Sequence, residues 1–127
     1  MGKVLFNSFV VFCLSMGICF SQDLGDERYG IASFYSEKFY GRKTANSEKL
    51  TKTKLTAAHK TLPFGTKVKV TNLANNKEIE VTINDRGPYV EGRIIDLSKA
   101  AAQALGLINL GLAEVKMEVV DAGDGKG

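Results

Sequence analysis

At 127 residues, 44% of them hydrophobic and 24% charged, the chain can fill one compact core and is too short for two. A formal net charge of +3 is close to neutral for the chain as a whole. Two cysteines and one histidine leave little material for a disulfide framework or a clustered metal site.

The first 21 residues differ in kind from the rest. MGKVLFNSFVVFCLSMGICFSQ places Lys3 ahead of a mostly apolar run from Phe9 to Phe20 and closes on small or polar residues, which is a secretory signal pattern. Cys19 and Ser21 fit the small-residue positions before cleavage, so residues 1–21 are read as a signal peptide and the mature chain as beginning at Gln22. A transmembrane anchor is the rival reading, but the apolar run falls short of the roughly 20 residues that span a bilayer. Neither cysteine follows the small residues that lipid attachment requires, so no stable membrane anchor is expected. The predicted destination is the periplasm or cell envelope. Both cysteines lie in this leader, so the mature domain must be stabilised by its core. Removal of Lys3 leaves 16 basic against 14 acidic residues, a net charge of +2.

Residues 22–29 read as a short polar linker, and GIASFY, from Gly30, as the first strand of a domain that runs to Val120. SEKFYGRKTANSEKLTKTK is long, polar and loop-like, which is uncommon in a compact domain unless the loop carries function. A second strand fits LTAAH, and the proline and glycine of LPFG mark a turn. TKVKVTNL puts Val68 and Val70 on one face with Lys67, Lys69 and Thr71 on the other, and EIEVTI repeats the pattern with Ile79, Val81 and Ile83. The intervening ANNK suits a hairpin turn, since asparagine tolerates positive φ. IIDL reads as a strand, Ser98 as the cap of a helix over KAAAQAL, and Gly106 as its stop. LAEVKMEVV alternates again and leaves residues 121–127 as a tail. Six short strands and one short α-helix favour a mainly β fold, a small closed barrel over a sheet with open edges.

Charge is uneven along this domain. Between Lys38 and Lys69 stand nine basic residues and one acid, Glu48, which reads either as a solvated face or as a surface for an anionic polymer. An exported chain with no nucleic-acid motif is not expected to bind nucleic acid.

Chemistry is concentrated in few places. One histidine, no cysteine in the mature chain and scattered carboxylates give no metal-ligand spacing, so neither metal nor cofactor is expected. No serine lies in an elbow sequence and no thiol is available as a nucleophile, which leaves carboxylate chemistry. NDRGPY places Asn84, Asp85 and Arg86 where a strand ends, on a turn stiffened by Gly87 and Pro88. Asp85 can serve chemistry or fix its own turn. Glu48 is a reactive acid or a solvated loop residue, His59 a site residue or a hydrogen-bonded structural histidine, and Asp96 a support for the helix start.

GIASFY, FYGRKTANSE, LTAAHKTLPFGTKVKVTN and INDRGPYVEGRIIDLSKAAAQALG together resemble the double-psi β-barrel domain of the rare lipoprotein A family of bacterial cell-envelope proteins. The resemblance runs from Gly30 to Val120. It implies a six-stranded double-psi β-barrel that acts on or binds peptidoglycan glycan strands, in some members as a lytic transglycosylase favouring strands without stem peptides. The family's acidic loop residue falls on Glu48, its histidine on His59 and the aspartate of its NDRGP motif on Asp85. A second loop carboxylate of the family is replaced by Thr51.

On this resemblance Asp85 is expected to be the general acid and base, with Glu48 its electrostatic partner or the acid itself, and His59 orienting one of them or bonding the sugar. Asn84 and Arg86 are expected to hold substrate hydroxyls or the carboxylate, and Tyr89 to stack on a sugar ring. A transglycosylase needs one such acid, because the sugar's own 6-hydroxyl attacks the anomeric carbon; a hydrolase needs two carboxyl groups. The alternatives are a non-catalytic polysaccharide-binding barrel of the expansin type, an endoglucanase-like hydrolase, and an interaction protein localised by its partners. The protein is expected to act as a monomer on glycan strands.

Overall fold

Alternation of apolar and polar side chains makes six strands, and closure of those strands into a barrel buries one face of each. The computed structural model describes residues 24–35, 39, 41–51 and 53–123. The expected signal peptide lies outside the described residues. The strands are β1 (Glu27–Phe34), β2 (Thr56–Ala58), β3 (Lys67–Asn72), β4 (Glu78–Asp85), β5 (Arg93–Leu97) and β6 (Ala113–Asp121), with the helix α1 (Lys99–Leu105) between β5 and β6. They close in the order β1-β5-β2-β4-β3-β6. The β1/β5 and β2/β4 pairs are parallel and the other four antiparallel.

Val68, Val70, Val81, Ile83, Ile95 and Leu97 fill the barrel and are essentially inaccessible to solvent. Ala101, Ala102 and Leu105 bring the inner face of α1 into the same cluster. Burial of each large aliphatic side chain is worth about 1.5–3 kcal/mol, and closure leaves none of the six strands with a free edge. The helix is capped as its sequence requires. Ser98 Oγ accepts from the Ala101 N–H, and Gly106, at φ 75°, donates its N–H to the carbonyls of Ala102 and Gln103. The β3–β4 connection turns at Asn76 with φ 61°.

Three local features differ from the sequence-based expectation. β1 begins at Glu27, inside the segment read as a linker, because Glu27 to Ala32 pair with Glu118 to Ala113 of β6; a strand distant in sequence supplies the order that polar local sequence does not. The polar segment after β1 contains its own small hairpin, closed by a bridge between Lys43 and Lys49 and anchored by the buried side chain of Leu50. Asp96 does not support the helix start. Its carboxylate pairs with Arg93 at 2.6 Å, and the first turn of α1 carries no acid.

Candidate active site

The parallel pairing of β2 with β4 sets Ala58 beside Asp85, so the ends of both strands open at the same rim of the barrel. His59 follows β2 directly, and its backbone N–H donates to the Asp85 carbonyl (3.1 Å). The hairpin of residues 41–51 folds over this rim. The Asn46 N–H donates to the Asn84 carbonyl (3.1 Å), and the Ala45 N–H donates to Asp85 Oδ1 (2.8 Å). The hairpin is stiffened from within, since Thr44 Oγ1 donates to Asn46 Oδ1 (2.7 Å), which also accepts the Glu48 N–H (3.1 Å).

Asp85 is half-buried and held at both oxygens. Oδ1 accepts from the N–H groups of Ala45 and Arg86 (2.8 and 2.9 Å), and Oδ2 accepts from the Tyr35 hydroxyl at 2.5 Å. Burial first, and then the Asp85 carboxylate beside it, push the Tyr35 hydroxyl far above its ordinary value, so the phenol remains a donor. Asp85 and Tyr35 share a cleft of about 220 Å³ with Phe39, Arg42 and Lys43. The Tyr35 and Phe39 rings meet edge to face with centroids 6.0 Å apart, and Arg42 lies 5.2 Å above the Phe39 ring. The cleft therefore combines an acid, aromatic walls and two cations.

Glu48 reaches the same rim through Asn84. The amide of Asn84, 2% exposed, donates to Glu48 Oε1 (3.0 Å). That bond leads in holding the Glu48 carboxyl below its ordinary value of 4.5; burial works the other way, and the Asn46 amide and the Lys54 charge add smaller downward pulls. Among the described residues the Asn46 amide nitrogen is itself buried without a hydrogen-bond partner. Glu48 thus stands as an ionised group bound to Asn84.

The remaining expected site residues are spread around the rim. His59 is 5% exposed, and its Nδ1 accepts from the Thr61 and Leu62 N–H groups (both 3.1 Å), which leaves the ring proton on Nε2. His59 lines a second cavity, of about 230 Å³, and is not among the described residues that line the cleft of Asp85. Arg86 Nη1 donates to the carbonyls of Leu62 and His59 (2.9 and 3.2 Å), and its guanidinium sits 4.0 Å above the Phe64 ring. Tyr89, beyond the cis Gly87–Pro88 bond, is 76% exposed. Gly87 adopts φ 118°, a conformation that side chains resist, at the point where the chain leaves the rim.

The sequence reading missed Tyr35, Phe39, Arg42 and Lys43. Only the last two carried a signal, as part of the basic segment. Tyr35 reads as one more aromatic at a strand end, and its partner lies fifty residues away. Among the described residues no group of three or more histidine, cysteine or acidic side chains is placed to hold a metal ion.

A family model described as lytic transglycolase matches residues 27–117. The endolytic peptidoglycan transglycosylase RlpA of Campylobacter jejuni is 52% identical over 100 residues, 79% of this chain and 36% of that protein. Its counterpart in Pasteurella multocida is 55% identical over 96 residues, 76% of this chain and 33% of that protein. A probable endolytic peptidoglycan transglycosylase RlpA of Synechocystis sp. is 55% identical over 91 residues, 72% of this chain and 28% of that protein. The chain spans about a third of the length of these curated relatives. Among solved structures, the Streptomyces papain inhibitor superposes with a TM-score of 0.60 at 22% identity, over 76% of this chain and 96% of that one. An apo Clavibacter michiganensis expansin gives 0.59 at 26% identity, over 75% of this chain and 50% of that one. The closed six-stranded barrel, the matched span and these relatives together show that the chain belongs to the lytic transglycolase family and has the double-psi β-barrel fold.

Proposed function

We propose that the domain cleaves peptidoglycan glycan strands as a lytic transglycosylase, with Asp85 as the one group that gives and takes the proton. The observation that carries this reading is the position of Asp85. Its Oδ1 is filled by two backbone donors, whereas Oδ2, among the described residues, accepts one hydrogen bond, from Tyr35, at the wall of an open cleft. A protonated Asp85 donates to the glycosidic oxygen as the bond from that oxygen to the anomeric carbon breaks. The muramyl 6-hydroxyl then attacks the anomeric carbon and returns its proton to Asp85, which closes a 1,6-anhydro ring and restores the acid. Water does not enter, so no second carboxyl group is needed.

Glu48 takes the part of an ionised partner that fixes Asn84 and the hairpin. His59 orders the turn after β2, Arg86 holds that turn by its carbonyls, and Tyr89 offers an exposed ring to a sugar beyond the cleft. The names of the relatives support peptidoglycan as the substrate. Strands without stem peptides, export by a cleaved leader and action as a monomer belong to the same proposal.

Thr51 favours a second reading, a barrel that holds glycan without cutting it. Its hydroxyl accepts the Lys54 N–H (3.2 Å), so it closes the loop as an aspartate would while supplying no carboxylate. Comparison of wild type with Asp85→Asn on isolated glycan strands separates the two. The proposal expects anhydro ends from wild type and almost none from the variant, with both still binding; equal release by both would remove Asp85 from its role.

A further inference from the structure

Four features of the hairpin over residues 41–51 are unfavourable as it stands, and they gather at its tip and at its seam with the rim. Ser47 takes φ 75°, a left-handed conformation that residues with a side chain resist. Lys43 and Lys49 face each other directly across the hairpin, both exposed, and neither is ion-paired with an acid among the described residues. At the seam, Asn46 Nδ2 and Asn84 Oδ1 are each buried with no hydrogen-bond partner among the described residues. Turning either amide over gives no relief, because the Glu48 N–H holds Asn46 Oδ1 and Glu48 Oε1 holds Asn84 Nδ2. Buried polar groups without partners are rare in folded proteins, and two at one seam weaken it.

Polar bonds close that seam. The Ala45 N–H donates to Asp85 Oδ1 (2.8 Å), the Asn46 N–H to the Asn84 carbonyl (3.1 Å) and the Asn84 amide to Glu48 Oε1 (3.0 Å). The base of the hairpin is held differently. Leu50 is 4% exposed, the Gly41 N–H donates to its carbonyl, and its own N–H donates to the Arg42 carbonyl (both 2.8 Å). A buried base and a tip held by a few polar bonds make a hinged flap. Arg42, Lys43, Thr44 and Leu50 of this hairpin line the Asp85 cleft, so its position sets the width of the cleft. At about 220 Å³ the cleft is smaller than ordinary ligand pockets, which start at roughly 300 Å³, and a polymer needs it wider.

We propose that the hairpin is a clamp whose tip lifts from Asn84 and Asp85 to admit a glycan strand and then closes on it. When the tip lifts, Asn46 Nδ2 and Asn84 Oδ1 gain water or sugar hydroxyls, Ser47 relaxes and the two lysines part, which together offset the bonds lost at the seam. Closing returns the Ala45 N–H to Asp85 Oδ1, so the shut clamp adds its own donor to the acid. The inference rests on glycan being the ligand and holds whether or not the strand is cut.

The test reads the motion and its use separately. Hydrogen exchange of the Ala45 and Asn46 amides reports lifting of the tip, with the Val70 amide in β3 as the reference for global unfolding. Both hairpin amides should exchange at least about a hundredfold faster than Val70. Ser47→Gly relieves the left-handed tip, and Lys49→Glu turns the opposed lysines into an ion pair; both positions are exposed and neither lines the cleft. Each should slow exchange at Ala45 and Asn46 by roughly threefold. The rate of association with soluble glycan strands, followed by surface plasmon resonance, should fall in step. Lys67→Glu makes the same change of charge at an exposed position on β3 and should leave both rates unchanged. Exchange as slow as at Val70, no slowing in either variant, no association of wild type with the strands, or slowed exchange with unchanged association would each overturn the clamp. Anhydro ends are counted apart, and their absence with the clamp's behaviour intact would instead overturn the transglycosylase reading.

Discussion

The Tyr35 hydroxyl donates to Asp85 Oδ2 at 2.5 Å and so ties the end of β1 to the end of β4 within the cleft. The two residues are fifty positions apart and meet because closure of the barrel brings β1 and β4 to either side of β5 and β2. Tyr35 fixes the rotamer of the acid, and burial, with the acid beside it, keeps the phenol protonated.

That bond has an alkaline signature. The ordinary tyrosine value is 10.0, and in the folded protein Tyr35 lies well above it. Below pH 10 both folded and unfolded chains keep the proton; above it the unfolded chain releases it and the folded chain does not, so stability falls as pH rises. Denaturant unfolding of wild type and Tyr35→Phe between pH 9 and about 11 should show a steeper decline for wild type. Parallel curves would mean that the hydroxyl is neither buried nor held by Asp85 in the folded chain.

Glu48 gives the opposite dependence. Its folded-state value is depressed, with the Asn84 amide as the leading cause, so its stabilisation is present above 4.5 and is lost as pH falls through the depressed value. In Glu48→Gln the acid-side decline should be shallower than in wild type, measured by denaturant midpoints at successive pH values. Glycan cleavage by this variant should persist at reduced rate, because Glu48 positions Asn84 and the hairpin and does not move a proton.

Thr51→Asp tests whether one acid suffices. An aspartate can accept the Lys54 N–H as Thr51 does, so the loop should remain closed and thermal stability should change little. The rate of anhydro-end formation should stay within about threefold of wild type, since single-carboxyl chemistry gains nothing essential from a second acid. Appearance of strong cleavage only in Thr51→Asp would place a required carboxylate at that position.

Ser98 joins fold to site. Its Oγ accepts the N–H groups of Ala101 and Thr56 and donates to the Lys54 carbonyl at 2.9 Å, so one hydroxyl caps α1 and pins the chain entering β2. Ser98→Ala leaves these buried groups unpaired and should cost roughly 2 kcal/mol. Chemical denaturation should show the loss as a shifted midpoint at constant slope.

Much of this architecture was legible in the sequence because it is written locally. Alternation at Val68 and Val70 and at Val81 and Ile83 located β3 and β4, and Ser98 and Gly106 bounded α1 as capping chemistry requires. The rest depends on partners distant in sequence. Glu27 is polar and becomes strand only through β6; Tyr35 becomes a site residue only through Asp85; Asp96 lies just before a helix yet finds Arg93 three residues behind it. Glu48 and Asp85 could be named from motif resemblance, but the hairpin that joins Glu48 to Asn84 is built of polar residues with no periodicity.

The central claim, that the substrate's own hydroxyl and not water attacks the anomeric carbon, is tested most directly by product mass in water enriched in heavy oxygen. Wild type should release chains lighter than hydrolysis products by one water and free of the label, and Asp85→Asn should release scarcely any. Label at new reducing ends would contradict it, whereas unlabelled anhydro products from both proteins alike would leave it standing and remove Asp85 from its role.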